Sequence, residues 1–227
     1  MIVAILSDIH GNLPALRAVL GDFGSVDALL CCGDVVGYYP DINDVCEILQ
    51  NERAFVIRGN HDAYISGNLN PDPQKAQIYK SEWTRQKLYK ENLGWLTALP
   101  LEMNFLWNGL KIKIRHASLW DEETYLAPNS PELSEYKLNR DEFYIFGHTH
   151  RPMILNVGEG VVLNPGSVGQ PRDWDPRASY AILDTNSRRI EIRRIQYDVG
   201  TYQDRLRTLD WDKELINILS REKTNGL

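Results

Sequence analysis

The 227-residue sequence contains only five histidines, and each lies at or just past the end of a short apolar run. Two aspartates and one asparagine occupy the same kind of position. Ligand sites of open α/β sheets collect beyond the carboxyl ends of the strands, so these side chains are expected to meet at one rim. The set consists of Asp8, His10, Asp34, Asn60, His61, His116, His148 and His150.

The spacing and chemistry of this set indicate a metal site. Asp8 and His10 are two residues apart, as are His148 and His150. Residues i and i+2 of an extended chain point to the same side, so each pair is expected to reach one metal cluster from one strand end. Imidazole, carboxylate and amide ligands favour Mn, Fe or catalytic Zn over structural zinc. The seven candidate ligands (the set without His61) exceed the need of one catalytic ion, whereas two ions that share a bridging carboxylate accommodate them.

Glycine comes directly before three candidate ligands, where the missing side chain lets the backbone approach an ion closely. These glycines are Gly33, Gly59 and Gly147.

The first sixty residues alternate strand and helix patterns, which predicts a parallel sheet with crossover helices. Asn12 is the expected N-cap of the first helix. The predicted strands are Ile2–Leu6, Ala28–Cys32 and Ala54–Ile57, and the helices are Leu13–Leu20 and Ile42–Leu49.

The remainder is expected to add helices and then mostly antiparallel strands. Residues 74–99 predict one long helix or two shorter ones, and Asn108-Gly109 predicts a hairpin turn between 102–107 and 110–115. Core contacts are expected from Ile78, Trp83, Leu88 and Leu96. Later strands are predicted at Phe143–Phe146, Met153–Val157, Val161–Leu163, Tyr180–Leu183 and Ile190–Tyr197.

The last thirty residues return to a helical pattern with one apolar face. We interpret this face as core packing, with the interface of a homodimer as the alternative. One domain is expected over residues 1–227, with a C-terminal helical segment at about 199–222 packed on it. The residues of the apolar face are Trp211, Leu215, Ile218 and Leu219.

Composition excludes several classes of protein. The net charge of −6 disfavours a protein that coats nucleic acid, although it allows a phosphate-bearing substrate. No apolar run approaches the ~20 residues of a membrane-spanning helix. The N-terminal apolar run reads as a strand rather than a signal peptide, and three clustered cysteines (Cys31, Cys32 and Cys46) are too few for a disulfide framework. A cytoplasmic protein with reduced, buried thiols is expected.

Five short motifs occur in a fixed order along the chain. They are D-x-H (Asp8/His10), G-D-x-x-G (Gly33–Gly37), G-N-H-D (Gly59–Asp62), a lone His116 and G-H-x-H (Gly147–His150). Over about residues 1–170 this order resembles the calcineurin-like metallophosphoesterase superfamily. The run 164–169 resembles the small prokaryotic subgroup that includes diadenosine tetraphosphatase-related and phosphodiesterase-like proteins. The resemblance implies an α/β fold, a four-layer α-β-β-α sandwich of two mostly mixed β-sheets flanked by helices.

The resemblance also implies how the ligands divide between two metal ions. It places one ion on Asp8, His10, Asp34 and His150. It places the other on Asp34, Asn60, His116 and His148, with Asp34 as the bridge. Mn²⁺ is the expected ion, with Fe²⁺, Zn²⁺ or Ni²⁺ as alternatives.

The expected reaction is hydrolysis of a small phosphorylated substrate, either a phosphodiester or a dinucleoside polyphosphate, by in-line attack of a metal-bridging hydroxide. His61 is predicted to protonate the leaving alkoxide, and Asp62 either to orient His61 or to cap the following helix. Predicted substrate-binding residues are Asn12, Tyr38 and Arg172. For Tyr38 ordinary packing is the alternative, and for Arg172 a solvated loop charge.

Three other functions fit the sequence less well. A protein phosphatase is disfavoured, since the arginine that such enzymes carry after the G-D block is missing from Gly33–Gly37. A scaffold protein that keeps the fold without catalysis is the main alternative, although the complete ligand set and His61 argue against it. A nuclease is disfavoured by the acidic charge.

Overall fold

The computed structural model describes residues 1–222, which contain two five-stranded sheets and eight α-helices. The strands are β1 (Ile2–Leu6), β2 (Ala28–Cys31), β3 (Phe55–Val56), β4 (Glu102–Trp107), β5 (Leu110–Arg115), β6 (Glu142–Ile145), β7 (Met153–Val157), β8 (Gly160–Asn164), β9 (Ala178–Asp184) and β10 (Arg189–Ile195). The helices are α1 (Leu13–Asp22), α2 (Ile42–Asn51), α3 (Asn60–Ser66), α4 (Pro73–Ile78), α5 (Ser81–Lys87), α6 (Lys90–Thr97), α7 (Val199–Thr208) and α8 (Lys213–Ile218), with a 3₁₀ helix at Pro131–Glu135.

The first sheet has the strand order β10-β9-β1-β2-β3. Strands β1, β2 and β3 are parallel, as the alternation of strands and helices predicts, and β3 is only two residues long. Strands β9 and β10 join antiparallel on the far side of β1. The carboxyl ends of three parallel strands therefore lie at one edge of this sheet.

The second sheet has the order β4-β5-β6-β8-β7, with parallel pairing in the centre and a hairpin on each edge. The predicted hairpin between β4 and β5 is confirmed, with Trp107 paired to Leu110. Asn108 and Gly109 both have positive φ, at 50° and 77°, as a two-residue turn of this kind requires. The carboxyl ends of β5 and β6 lie side by side.

The two sheets pack face to face, and side-chain alternation along the strands explains why. On β1, Val3 and Ile5 pack with residues of the second sheet such as Ile114. Their neighbours Ala4 and Leu6 face the opposite way and pack with α1 and α2. Because side chains alternate along a strand, a strand buried on both faces must be apolar throughout. The predicted α/β fold of two mixed sheets flanked by helices is confirmed.

The outer face of the second sheet is covered mainly by the segment between β5 and β6. Leu126, Leu133 and Tyr136 from this segment pack on Tyr144 and Phe146 of the sheet region. The segment contains the 3₁₀ helix and otherwise lacks regular structure among the described residues. It runs past the end of β5, so it also passes close to His116.

Residues 74–99 depart from the sequence prediction, because they form three short helices. Lys80 adopts the left-handed conformation (φ 58°) between α4 and α5, and the chain changes direction there. The prediction that Ile78 contacts the core is therefore wrong, since Ile78 is 47% exposed. Leu88 and Leu96 are buried as predicted.

The C-terminal segment forms two helices, with Trp211 between them. Trp211, Leu215 and Leu219 are buried together with Tyr39 and Tyr202, which confirms the core-packing interpretation of this apolar face. Ile218 is only half-buried. None of the described helices is long and apolar enough to cross a membrane.

Candidate metal centre and cleft

The candidate ligands converge at the edge where the parallel strands of both sheets end. Asp8 and His10 follow β1, Asp34 follows β2, and Asn60 begins α3 after β3. His116 follows β5, and the His148/His150 pair follows β6. All seven side chains are buried, none more than 5% exposed. The shared rim predicted from the strand ends is therefore present.

The first cluster contains Asp8, His10, Asp34 and His150, whose ligand atoms all lie within 4.8 Å of one another. The Nε2 atoms of His10 and His150 are 3.1 Å apart. His150 Nε2 is 3.3 Å from Asp8 Oδ1, and His10 Nε2 is 3.6 Å from Asp34 Oδ2. Two imidazoles and two carboxylates surround one point.

The second cluster contains Asp34, His116 and His148, with Asn60 beside it. His116 Nε2 is 3.2 Å from Asp34 Oδ2, and His148 Nδ1 is 3.0 Å from Asn60 Oδ1. Asp34 belongs to both clusters, so one carboxylate lies within reach of both groups of candidate ligands.

Backbone carbonyls determine which ring nitrogen faces each cluster. Nδ1 of His10, His116 and His150 lies 3.2, 2.6 and 2.7 Å from the carbonyl oxygens of Val36, Cys32 and Gln170. A carbonyl only accepts, so Nδ1 of each ring carries the proton and Nε2 presents a lone pair to the cluster. His148 is reversed: Nε2 donates to the Glu123 carbonyl (2.9 Å), and Nδ1 faces the cluster.

The donor set fits divalent cations. His116 Nε2 is buried without a hydrogen-bond partner among the described residues, although Asp34 lies close by. Burial raises the pKa of Asp8 to about 7. Burial alone would lower the pKa of His116, but the charges of Asp34 and Asp8 raise it to about 10. Without an ion, protons must therefore supply the positive charge that these buried carboxylates require.

The backbone at the clusters is held in an uncommon conformation. Five of the candidate ligands have positive φ: Asp8 (54°), His10 (53°), Asp34 (55°), His148 (64°) and His150 (58°). The expectation of extended pairs is therefore wrong. His148 and His150 lie in different clusters, whereas Asp8 and His10, which share the left-handed conformation, lie in the same one. Such strain persists where the surrounding structure fixes it, and it concentrates at functional sites.

All three glycines that precede candidate ligands leave no room for a side chain, and a Cβ on Gly33 would lie 2.6 Å from the Gly59 backbone nitrogen. A Cβ on Gly147 would lie 1.8 Å from Ser7 Oγ and 2.6 Å from Asp8 Oδ2. A Cβ on Gly59 would lie 2.1 Å from Asp34 Oδ1. The close approach expected at these positions is therefore observed, against the ligands themselves.

His61 lies beside both clusters but faces a cleft rather than the ligands. Its backbone N–H donates to Asp34 Oδ1 at 2.9 Å, whereas its ring packs against Tyr79 and Tyr38, with centroids 4.3 and 4.8 Å away. Burial lowers the pKa of His61 to about 4, so the ring is neutral at pH 7 in the metal-free chain. Among the described residues the ring makes no hydrogen bond to a candidate ligand, although it packs edge-on against the His10 ring at 4.7 Å between centroids, and the backbone of His61 holds Asp34.

Asp62 holds the backbone around Asp34 and does not bond to the His61 ring. One of its oxygens accepts from the N–H groups of Val35 and Val36 at 3.0 and 3.2 Å, and the other from Gly59 N–H at 2.9 Å. Of the two predicted roles, the structure therefore shows the contacts of a helix cap and not those of a group that orients His61.

The cleft in front of the clusters has a volume of about 310 Å³. Arg172 lines it, with its guanidinium fixed by the hydroxyls of Tyr38 and Tyr125, each at 3.0 Å, and by Gln170 Oε1. The residues that line the cleft are Asp34, Asn60, His61, Tyr64, Asp72, Lys75, Tyr79, Glu123, Tyr125, His148, His150 and Arg172.

Two predicted substrate-binding residues do not line this cleft. Asn12 has a fully buried side chain that caps α1 through Ala15 N–H and donates to the Gly169 carbonyl and the Tyr197 hydroxyl. Tyr38 is 5% exposed and packs its ring on His10, which matches the packing alternative.

Several residues of the cleft wall were not predicted from the sequence. Tyr64 follows Asn60 by four residues on α3, and Asn60 Nδ2 donates to its hydroxyl at 3.3 Å. That helical spacing could have identified Tyr64. Glu123 and Tyr125 come from the irregular segment after β5, and the Tyr125 ring lies 4.2 Å from the His148 ring. No local signal in the sequence marks these two.

Comparisons with known proteins agree with the geometry. The sequence model of the "Calcineurin-like phosphoesterase superfamily domain" matches residues 1–188. The phosphodiesterase YfcE of Escherichia coli K12 is 30% identical, over 79% of this chain and 85% of that protein. An uncharacterized protein of Methanocaldococcus jannaschii is 34% identical, over 87% and 88% of the two chains. The crystal structure of a metallophosphoesterase from Sphaerobacter thermophilus has a TM-score of 0.78 at 30% identity, over 97% and 98% of the two chains.

Proposed function

The chain belongs to the calcineurin-like phosphoesterase superfamily, and on that premise we propose that it uses two divalent cations to hydrolyse a small phosphorylated substrate, a phosphodiester or a dinucleoside polyphosphate. The observation that carries the proposal is the position of Asp34, whose carboxylate belongs to both ligand clusters. The phosphodiesterase name of the Escherichia coli relative supports the diester.

Seven residues are the proposed ligands. Asp8, His10, Asp34 and His150 would hold one ion, and Asp34, Asn60, His116 and His148 the other. Imidazole, carboxylate and amide donors suit Mn²⁺ best, with Fe²⁺, Zn²⁺ or Ni²⁺ as alternatives. When bound, two such ions activate a water molecule and offset charge on the phosphoryl group.

The protein's own residues hold the substrate and handle the proton. Arg172 faces the cleft with a guanidinium fixed by two tyrosine hydroxyls, so it can bind a phosphoryl oxygen with little loss of side-chain freedom. Tyr38 acts through Arg172 and through its packing on His61. We assign no substrate contact to Asn12.

His61 is the proposed proton donor to the leaving oxygen. The His61 ring lines the cleft. Among the described residues it makes no hydrogen bond to a metal ligand, because the contact with Asp34 is made by the backbone N–H. A neutral ring can still donate an N–H hydrogen bond, and a bound phosphate anion raises the pKa of a neighbouring imidazole. Asp62 positions Asp34 and α3 rather than His61.

The three cysteines support a reducing environment, and we propose that the protein works in the cytoplasm. Cys31, Cys32 and Cys46 are free and buried. Disulfides form where the compartment is oxidising, whereas free buried thiols persist where it is reducing.

The proposal is tested with Mn²⁺-loaded protein on bis(p-nitrophenyl) phosphate and diadenosine tetraphosphate. Asp34→Asn should lower kcat/KM by about 10³-fold or more and reduce the metal content below two per chain, since one bridging charge is lost. Asp204→Asn is the matched control, because Asp204 is 77% exposed and within residues 1–222 forms an ion pair only with Arg207. Full activity in Asp34→Asn or in metal-free protein would refute the two-metal proposal. Inactivity across a broad phosphoester panel with both ions bound would instead favour the scaffold alternative.

A further inference from the structure

The C-terminal segment of α7 and α8 lies beyond residues 1–188, to which the family model extends, and yet it is tied to the loops of the site. Trp211 Nε1 donates to the Tyr38 carbonyl at 2.8 Å, and the Tyr39 hydroxyl donates to the Leu215 carbonyl at 3.1 Å. Arg221 Nη2 donates to the Pro171 carbonyl, next to Arg172, at 3.1 Å. The segment therefore supports both loops that flank the cleft.

A groove of about 550 Å³ lies between α4 and α8, and it adjoins the cleft. Arg172 lines both cavities. Tyr38 lines the groove with one side and packs against His61 with its ring. The helix α4 borders both cavities, since Lys75 lines the cleft and Ile78 lines the groove. The groove thus continues the cleft on the far side of the Tyr38–Arg172 pair.

The lining of the groove is mixed, with three aliphatic side chains among polar and charged ones whose charges balance. Ile78, Leu215 and Ile218 form its apolar surface. The cationic groups Arg172 and Lys213 are matched by Asp212 and Glu214, and Asp212 already pairs with Lys80 at 2.6 Å. Such a lining has no surplus positive charge to attract a second phosphate, and it favours an uncharged group with ring-sized apolar surface.

We infer that this groove binds an uncharged, nucleoside-sized organic group of the substrate while the phosphoryl group lies at the metal clusters. The inference rests on the proposed function and narrows its substrate class. It also accounts for the exposure of Ile78, which is 47% exposed at the end of α4 and would be covered by the bound group. The groove joins residues inside the family model, such as Ile78, to residues at α8 beyond it, so both groups would set specificity.

The test compares the affinity of the Mn²⁺-loaded protein for methyl phosphate and for a nucleoside 5′-monophosphate, measured by isothermal titration calorimetry. Both ligands carry one phosphate, so the ratio of their Kd values reports the organic group alone. We expect the nucleotide to bind at least about tenfold more tightly, because a ring-sized group buries substantial apolar surface in the groove. Ile78→Ser should reduce this ratio at least threefold without changing the Kd of methyl phosphate. Ile154→Ser is the matched control, at an isoleucine of β7 that is 44% exposed outside the groove.

The outcomes separate the inference from the proposed function. If methyl phosphate binds and phosphodiesters are hydrolysed, but the nucleotide gains no affinity, the groove inference is wrong and the function stands. If pyrophosphate gains affinity over methyl phosphate and the nucleotide does not, the groove holds a second phosphate and the inference is likewise overturned. If neither methyl phosphate binding nor hydrolysis is detected with metals loaded, the proposed function itself fails. An equal ratio in Ile78→Ser and wild type would also contradict the inference.

Discussion

Substitution of Gly59 by alanine tests the link between backbone packing and metal binding. Gly59 has φ −92° and ψ 175°, a conformation open to any residue, so the effect of a methyl group there is steric alone. The added Cβ would lie 2.1 Å from Asp34 Oδ1 and 2.3 Å from Asp34 backbone nitrogen. These distances are about 1 Å or more short of ordinary van der Waals contact. Because the nitrogen belongs to the main chain, either Asp34 or the start of α3 must move.

The size of the effect follows from what Asp34 does. A displacement of about 1 Å at a positioned catalytic group costs roughly 10²-fold in rate. Overpacking a well-filled site costs about 1–3 kcal/mol in the free energy of unfolding. We therefore expect Gly59→Ala to lose at least about 10²-fold in kcat/KM on bis(p-nitrophenyl) phosphate, to bind fewer than two metal ions, and to unfold at lower temperature. Metal content is measured by elemental analysis and stability by thermal unfolding.

Gly94→Ala is the control within the same chain. Gly94 lies inside α6, and a Cβ there meets nothing within 4 Å. Alanine in a helix interior should raise the free energy of unfolding by about 0.5–1 kcal/mol, with metal content and activity unchanged. Wild-type metal content and rates in Gly59→Ala would refute the packing argument, since Asp34 would then have tolerated the extra atom in place.

Three further predictions concern the proton donor, the metal ions and the thiols. His61→Ala should keep two bound ions but lose about 10²–10⁴-fold in kcat on substrates with poor leaving groups, because the contact of residue 61 with Asp34 is made by the backbone; loss of metal, measured by elemental analysis, would contradict it. Removal of metal with a chelator should lower the unfolding temperature, and Mn²⁺ at about 100 times its Kd should restore about 2.7 kcal/mol of stability; an unchanged unfolding temperature would show that the clusters bind no ion. A thiol reagent at pH 8 should label none of Cys31, Cys32 and Cys46 before unfolding, because burial raises the pKa of each thiol; rapid labelling of the native protein would disagree with their burial.

Much of the fold could be predicted from local patterns. The alternation of apolar runs and helical periodicity predicted the parallel strands β1 to β3, and Asn108-Gly109 predicted the hairpin of β4 and β5. These predictions succeeded because backbone geometry and side-chain alternation are local properties of the chain. The helices of residues 74–99 were predicted less well, since the break at Lys80 depends on how α4 and α5 pack.

The types and order of the candidate ligands were likewise readable from the sequence, because a metal site needs particular donor atoms after particular strand ends. Their conformation was not readable. The positive φ values at Asp8 and His10 accompany hydrogen bonds to distant parts of the chain, such as Asp8 N–H to the Gly33 carbonyl and His10 N–H to the Asp34 carbonyl, each at 3.0 Å. The sequence also does not predict which ring nitrogen of each histidine faces the clusters, because this depends on hydrogen bonds to carbonyls of other loops.

By itself, the sequence determined the chemistry available at the site: which imidazoles, carboxylates and amide stand at the ends of which strands. Only the tertiary structure decided what surrounds them. In the tertiary structure, Asn12 and Asp62 make hydrogen bonds to the backbone of distant loops. The His61 ring faces the cleft, and Arg172 lies between the cleft and the groove beside α8. Ligand identity is carried by single residues at strand ends, whereas the shape of a cleft arises where loops far apart in sequence pack together, and no local pattern encodes that packing.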